Sequence, residues 1–119
     1  MAVNPWNDSL RNPRHQATEG SEIEVAVVRQ TSGVELRISA ELINLSRQGM
    51  QIRIGEQLVA GETVAARFRR QEAQPGFQQP ATVLWVQPED ERWLVGCRFE
   101  TEIKWEAMGE LFANHVLKT

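Results

Sequence analysis

Between Ser21 and Glu100 the chain alternates apolar and polar residues in six short segments, and that period of two limits the fold more than any other feature. A strand sends successive side chains to opposite faces, so each segment reads as a strand with one buried and one wet face. In SEIEVAVV, Ile23, Val25 and Val27 share a face. In VELRISAELI, Val34, Leu36, Ile38, Ala40 and Leu42 alternate with Glu35, Arg37, Ser39 and Glu41, and Thr31-Ser32-Gly33 turns between the two segments as a hairpin. Met50, Ile52 and Ile54 continue the pattern, followed by Val64, Ala66 and Phe68 of TVAARF. PATVLWVQ and RWLVGCRFE complete the series around the acidic turn Pro88-Glu89-Asp90-Glu91. The longest break is the Pro/Gly/Gln stretch over 70–80. Six short strands at this spacing point to a small barrel or a rolled sheet, with a flat six-stranded sheet as the alternative.

Both ends depart from the pattern. Residues 1–20 form a polar arm with Pro5, Pro13 and Gly20 and neither a helical nor a strand period. In EIKWEAMGELFANHVLKT the period becomes helical. Projection at helical spacing gathers Ala107, Met108, Leu111, Phe112, His115 and Val116 with Trp105 on one stripe, opposite Glu106, Glu110 and Asn114. This predicts a C-terminal amphipathic helix that closes one opening of a barrel or docks on a partner.

The chain has 119 residues and a net charge of −3, sized for one domain and too acidic for a broad nucleic-acid surface. Apolar runs reach only about four or five residues, too short to span a bilayer as a helix, and the N-terminus has no signal-peptide core. The one cysteine, Cys97, alternates with Trp93, Val95 and Phe99 and reads as an inert core thiol. Two scattered histidines give it no base and no metal partner, and no phosphate loop or metal-spaced carboxylate cluster is present. The expectation is a cytoplasmic, non-enzymatic protein without cofactor or metal.

Two stretches could hold a ligand. In RNPRH, Arg11 and Arg14 with His15 concentrate positive charge, and Pro13 stiffens the backbone. Arginine bonds phosphate with a planar fork, stacks on bases and reads the O6 and N7 acceptors of guanine. The same pair also suits a solvated terminus. In NLSRQG, between the second and third strands, Asn44 offers an amide, Ser46 a hydroxyl that can meet a phosphate or cap a turn, and Gly49 either positive φ or close approach to a ligand. A plain Asx-type turn would use the same residues, and the pattern arises by chance in about one chain of this length in twenty.

Position makes these stretches specific. An arginine-bearing arm precedes the first strand, [Asp/Asn]-x-Ser-x-x-Gly follows the second, and VLWVQPEDERWLVGCRF ends the strands, with Val95-Gly96 and Arg98-Phe99 in its last part. This arrangement, over about residues 10–115, resembles the PilZ domain, the bacterial receptor module for cyclic di-GMP. Asn44, Ser46 and Gly49 match one family signature in full. The other, R-x-x-x-R, departs: Leu10 stands where the first arginine is expected from Arg14, Arg11 is one residue late, and counting forward from Arg11 reaches His15.

The resemblance implies a mostly β fold, a six-stranded antiparallel β-barrel with a C-terminal α-helix, preceded by a flexible arm over 1–20 and occupying 21–119. It implies a cyclic di-GMP site formed by Arg11, Arg14, Asn44, Ser46 and Gly49, with His15 and Arg98 as possible additions. Binding would order the arm and present it to a downstream protein, with no DNA, RNA or membrane involved. The rival is a PilZ-fold adaptor that binds no nucleotide and acts through protein contacts alone. A barrel for single-stranded RNA would need an aromatic and basic strand face, which the pattern does not offer; Trp85 and Trp93 are read as core or seam residues.

Overall fold

The computed structural model describes residues 15–17, 23–31, 33–70 and 76–113. Seven strands and one helix follow in order: β1 His15–Gln16, β2 Ile23–Thr31, β3 Val34–Leu45, β4 Gly49–Ile54, β5 Thr63–Arg70, β6 Phe77–Glu89, β7 Arg92–Phe99 and α1 Trp105–Ala113. All pairings are antiparallel. β2 pairs with β3, β3 with β4, β4 with β7, β7 with β6, β6 with β5, and β5 returns to β2. That ring closes a six-stranded barrel, which removes the open edges a flat sheet would expose.

The six alternating segments all became strands, and their apolar faces meet inside. Val25, Val27, Leu42, Met50, Ile52, Ile54, Val64, Ala66, Phe68, Ala81, Val83, Val95, Cys97 and Phe99 form one buried cluster. Ile103, just before α1, and Met108 within it join that cluster, and Ala107 packs against it. The helix therefore docks on its own barrel. Trp105 is a correction: it is 63% exposed and lies outside the buried stripe, and the contact shown for its ring is the Arg47 guanidinium, 4.0 Å from the centroid. Leu111, Phe112 and His115 fall outside the side chains described.

Three further differences have local causes. Val34 and Leu36 are exposed although they share the apolar face, because Arg29 to Thr31 pair only with β3 and the hairpin tip extends past β5. The break over 70–80 is shorter than its composition suggests, since β6 begins at Phe77. Pro80 is tolerated there because its ladder partner is Ala65 alone, and its carbonyl accepts from Glu100 N at 2.9 Å. Finally, the segment read as an arm contains β1, too short to show a period. His15 lies opposite Leu45 and Gln16 opposite Asn44, and Ala17 N donates to Ile43 O at 2.9 Å. β2 covers β3 only from Val34 to Ala40, so β1 takes the remainder of that edge.

Cys97 is 1% exposed, and burial, with a smaller contribution from Glu62, pushes its thiol up to about 12. It is therefore protonated and shielded at neutral pH. A thiol-specific reagent at pH 8 is expected to leave the native protein unlabelled and to modify one thiol per chain promptly in denaturant. Rapid labelling of the native state would show that the packing around Cys97 is not as described.

Candidate functional site

The site is built by two β-bulges. Strand alternation carries Leu42 inward, and an unbroken β3 would carry Asn44 inward too. Instead Leu42 faces Ile52 while Asn44 faces Gln51, with Ile43 as the extra residue. A one-residue shift turns every later side chain to the other face. Leu45 thus returns to the core opposite Met50, and Asn44 stands on the outer face. β6 repeats the device. Val83 faces Cys97 and Trp85 faces Gly96, with Leu84 as the extra residue, so Trp85 is turned out of the barrel. Of the two places read for Trp85, core or seam, the core is excluded, since that reading assumed unbroken alternation; Trp93 does pack against the core.

As a result one row crosses the outer face in register: Gln16, Asn44, Gln51, Gly96 and Trp85. Asn44 is 7% exposed and donates from Nδ2 to Gln51 Oε1 at 2.9 Å. A Cβ at Gly96 would collide with Nε1 and Cε2 of Trp85, so the indole lies directly over bare backbone. Two residues along, Gly49 and Arg98 form the adjacent pair on the same face.

The NLSRQG corner is held from within. Ser46 is 4% exposed, and its Oγ accepts from the backbone N–H groups of Gln48 and Gly49, each at 3.2 Å. The Ser46 N–H donates to Gly49 O at 2.9 Å. Of its two possible uses, Ser46 is occupied with capping the turn. Gly49 does not have positive φ; that property belongs to Gly33 and Gly61 among the described glycines. Its bareness serves a close approach within the chain, because a Cβ there would run into the Cys97 carbonyl of β7. The corner is also stapled to the segment before α1. Arg47 O accepts from Ile103 N at 2.8 Å, Arg47 Nε donates to Ile103 O at 2.7 Å, and its Nη1 pairs with Glu102 at 2.9 Å. Gln48 O accepts from Phe99 N at 2.7 Å.

Ion pairing decides which cations on this face can meet an anion. Arg53 bonds Glu89 at 2.6 Å and Glu41 at 3.1 Å, and those hydrogen bonds, Glu89 first, push its pKa up further. Arg92 also pairs with Glu41, at 3.2 Å. Arg98 is exposed and makes no side-chain hydrogen bond or ion pair among the described residues. Among those residues it is the cation beside the row whose charge is not already matched.

The structure thus brings Asn44, Gly49 and Arg98 together on one face, with Ser46 behind them and His15 opposite Leu45 at the margin. Arg11 and Arg14 lie outside the described residues. Gln51, Gly96 and Trp85 belong to the same surface and were not legible as site residues. The one signal for them was the three-residue spacing of Leu42 and Leu45, which breaks the alternation. Among the described residues no three His, Cys, Asp or Glu side chains gather to hold a metal ion, and no helix is long and apolar enough to cross a membrane.

An apolar core closed by a helix, with a serine-capped corner and an outer face that carries a tryptophan over a glycine, defines a small β-barrel domain. The PilZ domain profile matches residues 11–113, and the chain belongs to that family of cyclic di-GMP receptor modules. No curated protein and no solved structure gave a significant match.

Gly49→Ala is expected to destabilise the fold itself, because the methyl group must displace β7 backbone. Overpacking of this kind costs about 1–3 kcal/mol, a fall in Tm of roughly 5–15 °C. Ser46→Ala should lower Tm by a smaller amount, about 3–8 °C, through two unmet N–H groups, and Ser46→Thr should restore part of it. Thermal melts without ligand check both; unchanged melting of Gly49→Ala would contradict the close approach to Cys97.

Proposed function

We propose that this protein is a cytoplasmic cyclic di-GMP receptor, without catalytic activity, whose N-terminal arm closes over the outer-face row when the ligand binds. The observation that supports the reading best is the convergence, on one face, of an amide, an unmatched arginine and a tryptophan over a glycine, beside the point where the arm joins β3.

Cyclic di-GMP has two guanines and two phosphates, and the face offers a group for each need. A guanine presents N–H donors on its Watson–Crick edge, which the carbonyl end of Asn44 can accept. Trp85 offers an indole face for stacking, a contact worth about 1–3 kcal/mol per base. Arg98 supplies charge for a phosphate, and Gly49 and Gly96 keep side chains out of the way. Ser46 keeps the corner in shape. Arg11 and Arg14 precede the paired residues of β1 by four positions and one, so both are within reach of a ligand on this face. Their charge-assisted hydrogen bonds would fix the arm, with His15 at its base. Leu10, in place of an arginine, leaves one fewer cation for this task. Ordering the arm then presents a new surface to a downstream protein.

Calorimetry and thermal melts with cyclic di-GMP test the proposal. At a hundred times the dissociation constant the ligand should add about 2.7 kcal/mol of stability, a Tm rise of about 8–16 °C, whereas GMP should do little. Arg98→Ala should weaken binding about ten- to a hundredfold and Trp85→Ala by a similar factor. Identical melting with and without saturating cyclic di-GMP would overturn the receptor reading and leave an adaptor acting through protein contacts.

A further inference from the structure

We infer that two copies of this chain associate through the open edge of β3 near the β2–β3 hairpin tip, each adding residues 34–38 to the other's sheet. The inference does not depend on the cyclic di-GMP reading. Barrel closure covers β3 unevenly. β2 pairs with it from Val34 to Ala40, but on the other edge β4 reaches only as far as Ala40, opposite Ile54. Past Ile54 the chain leaves β3. Leu58 is buried in the core, Gly61 N donates to Val83 O of β6 at 2.7 Å, and Val83 N donates to Glu62 O at 2.9 Å. Among the described residues no strand pairs with that edge of β3 over 34–39.

The backbone of this edge is set to accept a strand. Thr31 and Val34 are partners across a two-residue loop, and such a closing pair exchanges both backbone hydrogen bonds. Val34, Leu36 and Ile38 therefore turn their N–H and C=O groups to β2, while Glu35, Arg37 and Ser39 turn theirs to the open side. The same phase, followed through β2 and β5, points Pro80 away from β5, in agreement with the bond its carbonyl accepts from Glu100 N. A row of unpaired N–H and C=O groups is a template for another strand.

The side chains select a second copy of the same segment. Two such edges meet antiparallel about a two-fold axis that keeps like faces together, so the axis passes between one residue and its own copy. With the axis at Leu36, Glu35 of each chain stands opposite Arg37 of the other, which makes two ion pairs. Leu36 then meets Leu36, and Val34 meets Ile38. An axis at Glu35 would oppose two glutamates, and one at Arg37 two arginines. The four residues from Val34 to Arg37 are exposed. Among the described residues Arg37 makes no side-chain hydrogen bond or ion pair, and Glu35 reaches only Arg67, at 3.7 Å. In this register Gly33 of the second copy comes opposite Ser39, one residue short of Ala40, where β4 takes over the edge. The contact lies about 30 Å along β3 from the NLSRQG corner, so it leaves the outer-face row open.

Sedimentation equilibrium of the full chain, without nucleotide, tests the inference at about 10 µM to 1 mM, a range suited to a contact below the standard interface of about 1,200–2,000 Å². The chain should pass from monomer to dimer across it. Glu35→Arg and Arg37→Glu each set like charges against one another at both ends of the contact and should weaken the dimer about tenfold. The double variant restores opposite charges and should recover most of that loss. Glu91→Arg, an equal change of charge at the β6–β7 turn, should alter association less than about twofold. Amide exchange gives a reading that a loss of stability does not imitate. The N–H groups of Glu35 and Arg37 should exchange more slowly as concentration rises, while that of Leu36, already bound to β2, stays as it was. A chain that remains monomeric throughout the range, or whose Glu35 and Arg37 exchange ignores concentration, overturns the inference. So does a dimer that both single variants leave intact, or one that the double variant fails to restore, since either places the contact elsewhere.

Discussion

Everything on the outer face depends on two extra residues, Ile43 in β3 and Leu84 in β6. Strand geometry allows no gradual change of face: side chains alternate, so a residue is either in the barrel or on it. Inserting one residue against an unbroken partner strand is the least disruptive way to reverse the assignment. The two insertions fall in strands that flank the β4–β7 pair, and their combined effect is to bring Asn44 and Trp85 into one registered row. The core does not suffer, because Leu45 and Val86 take up the inward positions beyond each bulge. The same insertions that turn a polar amide and an indole to the outer face thus restore apolar packing behind them.

The corner between β3 and β4 shows how a loop can be held as firmly as a strand. Its backbone N–H groups are satisfied by Ser46, its glycine lies against the Cys97 carbonyl, and its Arg47 and Gln48 bond to residues on either side of the turn into α1. The Arg47–Glu102 ion pair itself adds little, being partly solvated. The backbone bonds with Ile103 and Phe99 matter more, since they leave the corner few independent motions. The binding surface proposed on this corner would be organised before any ligand arrives, which would limit the ordering cost of recognition.

That rigidity suits the receptor proposed above, in which one half of the site is preformed. The barrel supplies the row and Arg98; the arm, tied to β3 through His15, Gln16 and Ala17, would supply the other half on binding. In an acidic protein the useful cation must be local. Glu41 and Glu89 already match Arg53 and Arg92 on the same face, which leaves the charge of Arg98 toward an anion near Gly49. Surface ion pairs of this kind contribute little to stability, yet they determine where positive potential remains.

The strands were legible in the sequence because a period of two reports a half-buried strand wherever it occurs, and the motif residues Asn44, Ser46 and Gly49 were legible because local turns need particular residue types. The sequence also named the family, through the spacing of that motif and the strands around it, and the match over 11–113 agrees. It did not reveal Gln51, Gly96 or Trp85 as neighbours of the corner, nor that Gly49 serves a backbone contact with Cys97 and not a left-handed turn. The reason is physical. Periodicity assigns a face only while the register holds, and a bulge changes register through hydrogen bonds to a partner strand far away in the chain. Which residues oppose one another across β4, β7 and β6, and hence which side chains share a surface, was decided only when the barrel closed.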